Sequence, residues 1–451
     1  MSANKKVSVR AHTRAYLSAA AAFCFAAAFF SYIGQGAAAL AAIFAAVTAF
    51  PLLAFRDRIV FDGKRLSRTG ILWRLLRYAT SQPLRIRPRS IIHVETEAIR
   101  ALRRGSNISY LYQTSLHGTD MSFRIGSGRG YRAFIETVLP LIEDGCLDVR
   151  SVELRDHFVD AATMKAHARK LKIPRSDILD VDAITKSDRR VSRTAADLSD
   201  ETLIRSDDLR KVANELRANG RLVQAVEAFR RAIRLTPRNA RLIYEFARCI
   251  QSLASAKRDA GLNRKAQAML RLAELRSSDD TDLLTRVGET YFSMGEWRRA
   301  ELVFKRAADS GKAGYRIFRG LGELALRDGK IAHAINHFAR SAEVAEPRPL
   351  FRWARSEAEY LRRINDDDEY MEVEIGRVNL FDSLESVRRT STKVFCFGLL
   401  VIVSGLIFGT PLIAHIGWAV AGIALILGLG TAIFKQLFAA RIPFEIVDKE
   451  R

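Results

Sequence analysis

The sequence predicts a multidomain protein in which an α-solenoid is combined with a small β-rich domain and two transmembrane α-helical hairpins. Three observations support this prediction. Three residue types recur at fixed offsets between residues 206 and 348. Two blocks of 41 residues contain no Asp, Glu, Lys or Arg. A stretch of short, partly alternating apolar runs lies between the first block and the repeats.

The first uncharged block, 15–55, predicts a membrane hairpin. A span needs about 20 apolar residues, so the block is long enough for two spans that are separated near "GQG" at 34–36. An N-terminal signal peptide is the alternative interpretation of its first half. The immediate second span favours the hairpin.

The second uncharged block, 394–434, predicts another hairpin, with its break near "AHIG" at 414–417. Lys and Arg flank both hairpins, whereas both turns are uncharged. The positive-inside rule therefore places both termini and everything between the hairpins in the cytoplasm.

Residues 56–150 predict short strands followed by one helix. "DG" at 62–63 lies between apolar runs, as in a β-hairpin, and a second strand pair is joined at "HGTD". Phe134, Val138 and Leu141 then follow a helical spacing. "GSGRG" at 126–130 lacks the lysine of a phosphate-binding loop, which favours a plain turn.

Strands closed by a C-terminal helix directly after a membrane hairpin resemble the bacterial pleckstrin-homology-like domains. The segment 56–150 contains 17 Lys/Arg and 9 Asp/Glu. We expect its arginines to attract anionic lipid headgroups, each by on the order of 1 kcal/mol near the surface, either in a pocket or as a general basic surface. The candidate headgroup residues are Arg74, Arg77, Arg85, Arg87, Arg89, Arg100, Arg103 and Arg104.

The recurring residues are a Gly, an Ala five positions later and an apolar residue four positions after that. The four sets are Gly220, Ala225 and Phe229; Gly261, Ala266 and Leu270; Gly295, Ala300 and Phe304; and Gly329, Ala334 and Phe338. Successive glycines are 41, 34 and 34 residues apart, because the second copy contains an insertion of seven residues. Such a period predicts a solenoid of helix pairs.

This spacing and these residue types resemble tetratricopeptide repeats (TPR), in which small residues let helices approach closely and Phe fills the space between units. The resemblance implies a groove, lined by the first helix of each pair, that binds protein segments. The groove candidates are Arg210, Asn214, Tyr244, Arg248, Arg286, Glu289, Phe292, Arg316 and Arg319.

Arg210 and Asn214 match positions with which TPR co-chaperones hold a C-terminal carboxylate. Glu245 and Asp282 stand where Asn and Lys would complete such a clamp, so we expect none. Residues 206–348 contain 28 Lys/Arg and 18 Asp/Glu. This excess of positive charge favours acidic or phosphorylated protein segments as partners.

We expect neither an enzyme nor a cofactor, because the chain contains no HExxH, GxSxG, GxxxxGK[ST] or CxxC motif. His333 and His337 have a metal-capable spacing without an evident third ligand, so we expect no metal site. The net charge of +22 suits an acidic partner. We do not expect nucleic acid to be that partner, because the basic stretches lack interleaved aromatic residues.

The sequence thus favours a multi-pass scaffold of the bacterial cytoplasmic (inner) membrane that recruits protein partners. A lipid-handling component that acts through the basic domain is the alternative. The predicted segments are a cytoplasmic N-terminus (1–14), a hairpin (15–55), the pleckstrin-homology-like domain (56–150), a helical and polar linker (151–205), the solenoid with its capping helix (206–364), a linker (365–393), a hairpin (394–434) and a cytoplasmic tail (435–451).

Overall fold

The computed structural model describes residues 6–11, 14–71, 74, 85–102, 108–118, 122–128, 130–175, 179, 199–277, 280–311, 313–346 and 348–438. The chain divides into two compact units. The first consists of Met1–Ala11, Ile59–Ser67 and Arg85–Ser356, and the second of His12–Arg58, Arg68–Leu84 and Glu357–Arg451.

Two antiparallel sheets open the first unit. One has the strand order β1 (Val7–Arg10), β2 (Arg58–Phe61), β3 (Leu66–Arg68) and β4 (Arg85–Ile86). The other has the order β5 (Ile91–Leu102), β6 (Ile108–Gly118) and β7 (Ser122–Gly126). The predicted hairpins at "DG" and "HGTD" are confirmed. Strand β1 was not predicted; it precedes the first apolar hairpin in the chain, whereas its partner β2 follows it.

The helix predicted after the strands is α4 (Tyr131–Val138), which buries Tyr131, Phe134 and Val138. The "GSGRG" segment leads into this helix. Gly130 has φ +93°, and a Cβ there would lie 2.5 Å from the backbone oxygen of Ser8. Only glycine therefore allows β1 to pass this close to the start of α4.

Two helices occupy the beginning of the segment that was predicted as a linker. Helix α5 (Val149–His157) begins at Asp148, whose side chain accepts a hydrogen bond from the Ser151 amide. Helix α6 (Ala161–Lys170) begins in the same way at Asp160. We use the name β-rich domain for the two sheets together with α4 and α5.

Four antiparallel helix pairs follow. Their first helices are α7 (Asp200–Ala218), α9 (Ala240–Lys257), α11 (Thr281–Ser293) and α13 (Tyr315–Arg327). Their second helices are α8 (Leu222–Leu235), α10 (Ala260–Arg276), α12 (Trp297–Asp309) and α14 (Ile331–Glu343). Helix α15 (Arg348–Asp366) comes next, as predicted for a capping helix. This part of the chain is an α-solenoid of TPR-like helix pairs.

The recurring Ala and apolar residues lie in the core of these pairs. Ala225, Ala300 and Ala334 are fully buried, and Phe229, Phe304 and Phe338 are at most 2% exposed. The beginning of the solenoid is covered by α6, because Met164, Ala168 and Ile173 share a hydrophobic cluster with α7 and α8.

The second unit contains the two apolar hairpins. Helices α1 (Arg14–Tyr32) and α2 (Gly36–Phe44) are joined near Gly34, and α2 continues through a π-helical turn (Ala45–Ala49) into α3 (Phe50–Arg56). Helices α16 (Asp368–Ile407) and α17 (Pro411–Phe438) form the other hairpin. Within the described part of the chain, three helices are long and apolar enough to cross a membrane, namely Gly36–Arg56, Asp368–Ile407 and Pro411–Thr431.

One expectation for the second hairpin is wrong. The break lies at Phe408–Thr410 rather than at 414–417, because Gly409 adopts φ +64° and Pro411 starts the next helix. Most of the segment 365–393, which was predicted as a linker, is the first part of α16. Small residues let α16 and α17 pack closely: a Cβ on Gly405 would lie 2.5 Å from the Ala414 nitrogen.

Candidate functional site

The first helices of the four pairs form one continuous surface of the solenoid, which we call the inner face. All nine predicted groove residues lie on these four helices. The structure therefore places the predicted residues on neighbouring helices, where side chains from successive repeats can contact each other.

Arg210 and Asn214, on α7, hold a carboxylate of their own chain. Arg210 Nη1 donates to Glu245 Oε1 at 2.9 Å, and Asn214 Nδ2 donates to Glu245 Oε2 at 2.7 Å. Glu245 lies on α9 and is one of the two residues that depart from the carboxylate-clamp pattern. Arg210 and Asn214, which would bind a ligand's carboxylate in a clamp, thus connect repeats one and two through Glu245.

A second carboxylate on the inner face comes from the β-rich domain. Glu153, on α5, pairs with Arg217 Nη1 at 3.0 Å and with Arg248 Nη1 at 2.9 Å. The side chains of Glu153, Arg217 and Arg248 are 19%, 8% and 13% exposed. Burial opposes the charged form of Glu153, but the two arginines outweigh it and lower its pKa.

The middle of the inner face is joined by polar contacts between repeats. Tyr244, on α9, lies with its hydroxyl 3.1 Å from the Thr290 hydroxyl on α11. Arg316, on α13, donates through Nε to Glu289 Oε1 at 2.7 Å and makes a second contact through Nη2. These bidentate contacts hold α11 and α13 in register.

The last repeat also packs against the β-rich domain. Arg319, on α13, pairs with Glu323 at 2.7 Å and lies 5.4 Å from the Trp353 ring. Burial lowers the pKa of His93 on β5, and the positive charge of the nearby Arg319 lowers it further. Tyr315, Leu350 and Ala354 belong to the same buried hydrophobic cluster as the two sheets.

Two groove candidates are less involved in these contacts. Arg286 pairs with Asp282 of its own helix at 3.0 Å. Phe292 is half-buried, and its ring packs edge-on against Trp297 with 4.9 Å between the centroids. The prediction that the nine residues bind a separate protein segment stays a prediction.

Sequence reasoning missed Arg217 and Glu153. Arg217 follows Arg210 and Asn214 at the i, i+4, i+7 spacing of one helical face, so that spacing could have revealed it. Glu153 lies in a short polar helix that was assigned to the linker. Nothing in its local sequence indicates a contact with residues 64 and 95 positions away.

The candidate headgroup arginines are only partly within the described residues. Arg74, Arg85, Arg87 and Arg89 are exposed. Arg100 belongs to β5, but its side chain lies outside the described part of the structure. Arg77, Arg103 and Arg104 also lie outside it. The described residues contain no group of three or more His, Cys, Asp or Glu that could hold a metal ion.

No family model and no curated protein match this chain. Among solved structures, the chain is similar to TTC0263, a thermophilic TPR protein of Thermus thermophilus. The sequence identity is 23%, the match covers 34% of this chain and 80% of that chain, and the TM-score is 0.29. It is also similar to a chain of the APC/C hetero-tetramer Cut9–Hcn1, with 13% identity, 66% and 52% coverage, and a TM-score of 0.29.

Proposed function

We propose that this protein is a membrane-anchored, non-catalytic scaffold whose repeats bind proteins. The observation that carries this proposal is the pair of arginines from two different repeats that holds Glu153. The inner face thereby recognises an acidic side chain of another domain through the same kind of contact that would hold an acidic segment of a partner. In this proposal the first protein element bound by the repeats is the chain's own β-rich domain.

The β-rich domain is proposed to be pleckstrin-homology-like. Its sheets of four and three strands followed by a helix support this assignment. We further propose that the inner-face residues not in contact with the β-rich domain, such as Arg286 and Phe292, help to bind acidic or phosphorylated segments. A partner that engages Arg248 would have to displace Glu153.

We propose the topology of a bacterial cytoplasmic membrane protein with both termini and the repeats in the cytoplasm. The pairing of β1 with β2 supports one part of this proposal independently of the flanking charges: the N-terminus and the segment after the first hairpin lie on the same side, because paired strands must lie on one side of a membrane. If the hairpin that separates them crosses the bilayer, it crosses it an even number of times. Reporter fusions at the N-terminus, within 180–198 and at the C-terminus test this topology; a periplasmic signal from any of them contradicts it.

Site-specific photo-crosslinking in living cells tests the scaffold function. A photoreactive amino acid replaces Phe292 or exposed Leu302 on the repeats, and Arg87 on the β-rich domain, in the full chain. We expect discrete protein adducts from the repeat positions. If these positions give no protein adduct while Arg87 gives lipid adducts, the scaffold function is wrong and the lipid function is favoured.

The exposure of Arg85, Arg87 and Arg89 favours a second candidate function, the binding of anionic lipid by the β-rich domain. The test uses the full chain in nanodiscs with and without phosphatidylglycerol. We expect hydrogen exchange over 85–90 to slow when the anionic lipid is present. Equal exchange in the two lipids, or an equal effect in a variant with all three arginines changed to Gln, contradicts this function.

A further inference from the structure

The excess of positive over negative charge in the helices of the solenoid lies mainly on the second helices. Helices α8, α10, α12 and α14 together contain 12 Lys/Arg and 5 Asp/Glu, whereas the four inner-face helices contain 11 and 9. The inner-face charges are also largely paired, as described above. The surface with excess positive charge is therefore formed by these second helices, which we call the outer helices.

Two large apolar side chains are exposed within this basic surface. Leu275, on α10, is 73% exposed, and Leu302, on α12, is 67% exposed. A single exposed leucine on a protein surface is ordinary. These two lie on neighbouring outer helices and are the most exposed large apolar residues among the described residues of the repeats.

Glu274 shows that the two leucines belong to one patch. It precedes Leu275 in α10, and its carboxylate lies 4.0 Å from Arg299 Nη1 and 3.8 Å from Arg306 Nη1 of α12. Arg299, Leu302 and Arg306 follow the i, i+3, i+7 spacing of one helical face. We use the name outer patch for Arg271, Leu275, Arg299, Leu302 and Arg306.

The outer patch has more cations than its one internal carboxylate can neutralise. Glu274 also accepts a hydrogen bond from the Tyr291 hydroxyl at 2.8 Å, so its oxygens are shared among several donors. Arg271, Arg299 and Arg306 are exposed. A ligand with carboxylates and apolar side chains on one face would neutralise the arginines and cover the leucines together.

We propose that the outer patch binds an acidic amphipathic helix of a partner protein, with leucine-like side chains over Leu275 and Leu302 and carboxylates on Arg299 and Arg306. This proposal rests on the scaffold function and names the surface and the chemistry of the partner. It leaves the inner face to the β-rich domain and to the segments proposed above for Arg286 and Phe292.

The test measures binding of a fluorescent peptide to the full chain in nanodiscs of zwitterionic lipid, by fluorescence anisotropy. The peptide is a helix of glutamates with leucines at i, i+3, i+4 and i+7. We expect it to bind, and we expect Leu275→Ser with Leu302→Ser, or Arg299→Glu with Arg306→Glu, to weaken binding at least about tenfold. Replacing the peptide's leucines with serine should weaken binding to a similar degree.

Two matched controls separate a specific patch from general charge attraction. Arg238→Glu with Arg264→Glu changes the net charge equally at exposed sites outside the patch, and Ile204→Ser removes an exposed apolar side chain on α7. Neither should change binding more than about twofold. No binding, or equal effects of patch and control variants, overturns the proposal. So does equal binding of the serine peptide.

If the outer patch binds phosphatidylglycerol vesicles more strongly than it binds the peptide, the partner is a lipid and this proposal is overturned. The scaffold function is judged separately. Protein adducts from Phe292 in cells together with a silent outer patch would contradict this inference alone.

Discussion

The carboxylate of Glu153 pairs with arginines that belong to two different repeats. All three side chains are mostly buried, so removing the carboxylate leaves two cations without their counter-charge in a poorly solvated place. A buried ion pair that loses one partner typically destabilises a protein by about 3–5 kcal/mol. Exposed pairs contribute about 0–1 kcal/mol.

We therefore expect Glu153→Gln to lower the stability of the full chain by roughly 3 kcal/mol, measured as a shift in thermal or chemical unfolding. Glu301→Gln is the control, because Glu301 pairs with Lys305 at the surface, where the lysine side chain is 59% exposed. Similar shifts for both variants would mean that Glu153 is not a structural link between the domains.

Asp148 gives a stability contribution that depends on pH. Burial raises its pKa to about 6, although its hydrogen bonds with Ser151 oppose the shift. Because the folded state holds the proton more tightly than the unfolded state, this contribution is present below about pH 4 and is lost as the pH rises to about 6.

Asp148→Asn should remove this dependence while keeping a residue that can cap α5. We expect the stability difference between the variant and the wild type to move in favour of the variant between pH 4 and pH 7. Thermal melting of both proteins across this range measures it. A difference that does not change with pH would contradict the raised pKa.

At the scale of helix pairs, the packing of α11, α12 and α13 depends on two glycines. The Phe304 ring lies between them: a Cβ on Gly288 would lie 2.7 Å from the ring, and a Cβ on Gly320 would lie 2.6 Å from it. The ring cannot move away from one helix without moving towards the other. The two residues that face the Phe304 ring must therefore be small.

Gly288→Ala should therefore destabilise the solenoid by roughly 1–3 kcal/mol, although alanine is normally the better helix former. Gly376→Ala, at an exposed position inside α16, is the control, since nothing lies within 4 Å of a Cβ there. It should not destabilise the protein and could stabilise it by up to about 1 kcal/mol, because alanine is the better helix former. Unfolding monitored by far-UV circular dichroism compares the two. A neutral Gly288→Ala variant would mean that the Phe304 ring is loosely packed.

The elements that depend on local sequence were predictable. Four helix pairs, two apolar hairpins and the "DG" turn follow from periodicity, uncharged length and a turn dipeptide. Helix α5 and strand β1 were not found, because "VRSVELRDH" and "VSVR" are too short and too polar to signal their structure alone. Both are stabilised by contacts that are distant in the sequence.

The largest difference between sequence and structure concerns the whole molecule. The segments 56–150 and 206–364 were predicted as separate domains. In the structure they share one hydrophobic cluster, in which Ile91, Leu116 and Phe134 lie together with Tyr315 and Leu350. Helical period and strand alternation indicate which residues are buried, but not which domain buries them. The nine groove candidates lie on the four first helices, whereas the contact of Arg248 with Glu153 could not be predicted.

This shared cluster predicts that the β-rich domain and the last repeat lose structure together. Leu350 is fully buried, and a Cβ on Gly145 of the β-rich domain would lie 3.0 Å from its Cδ1. We expect Leu350→Ala to cost roughly 2–5 kcal/mol and to accelerate hydrogen exchange at the amides of β5.

Leu270→Ala is the matched control. Leu270 is 1% exposed and belongs to a different cluster, formed by the middle repeats. It should destabilise the repeats by a similar amount with less effect on β5. If the two variants accelerate exchange in β5 equally, the unit unfolds as a whole; if neither does, the β-rich domain is stable without the repeats.

The position of β1 has a consequence for the synthesis of this protein. The strand leaves the ribosome before the first apolar hairpin, but its neighbour β2 is made only after the hairpin. In the proposed topology, the first sheet cannot close until both helical segments have entered the bilayer and the chain has returned to the side from which it started. Correct membrane insertion would then be a precondition for closing this sheet. A nascent chain whose hairpin inserts wrongly would expose an unpaired strand and would be a substrate for quality-control proteases.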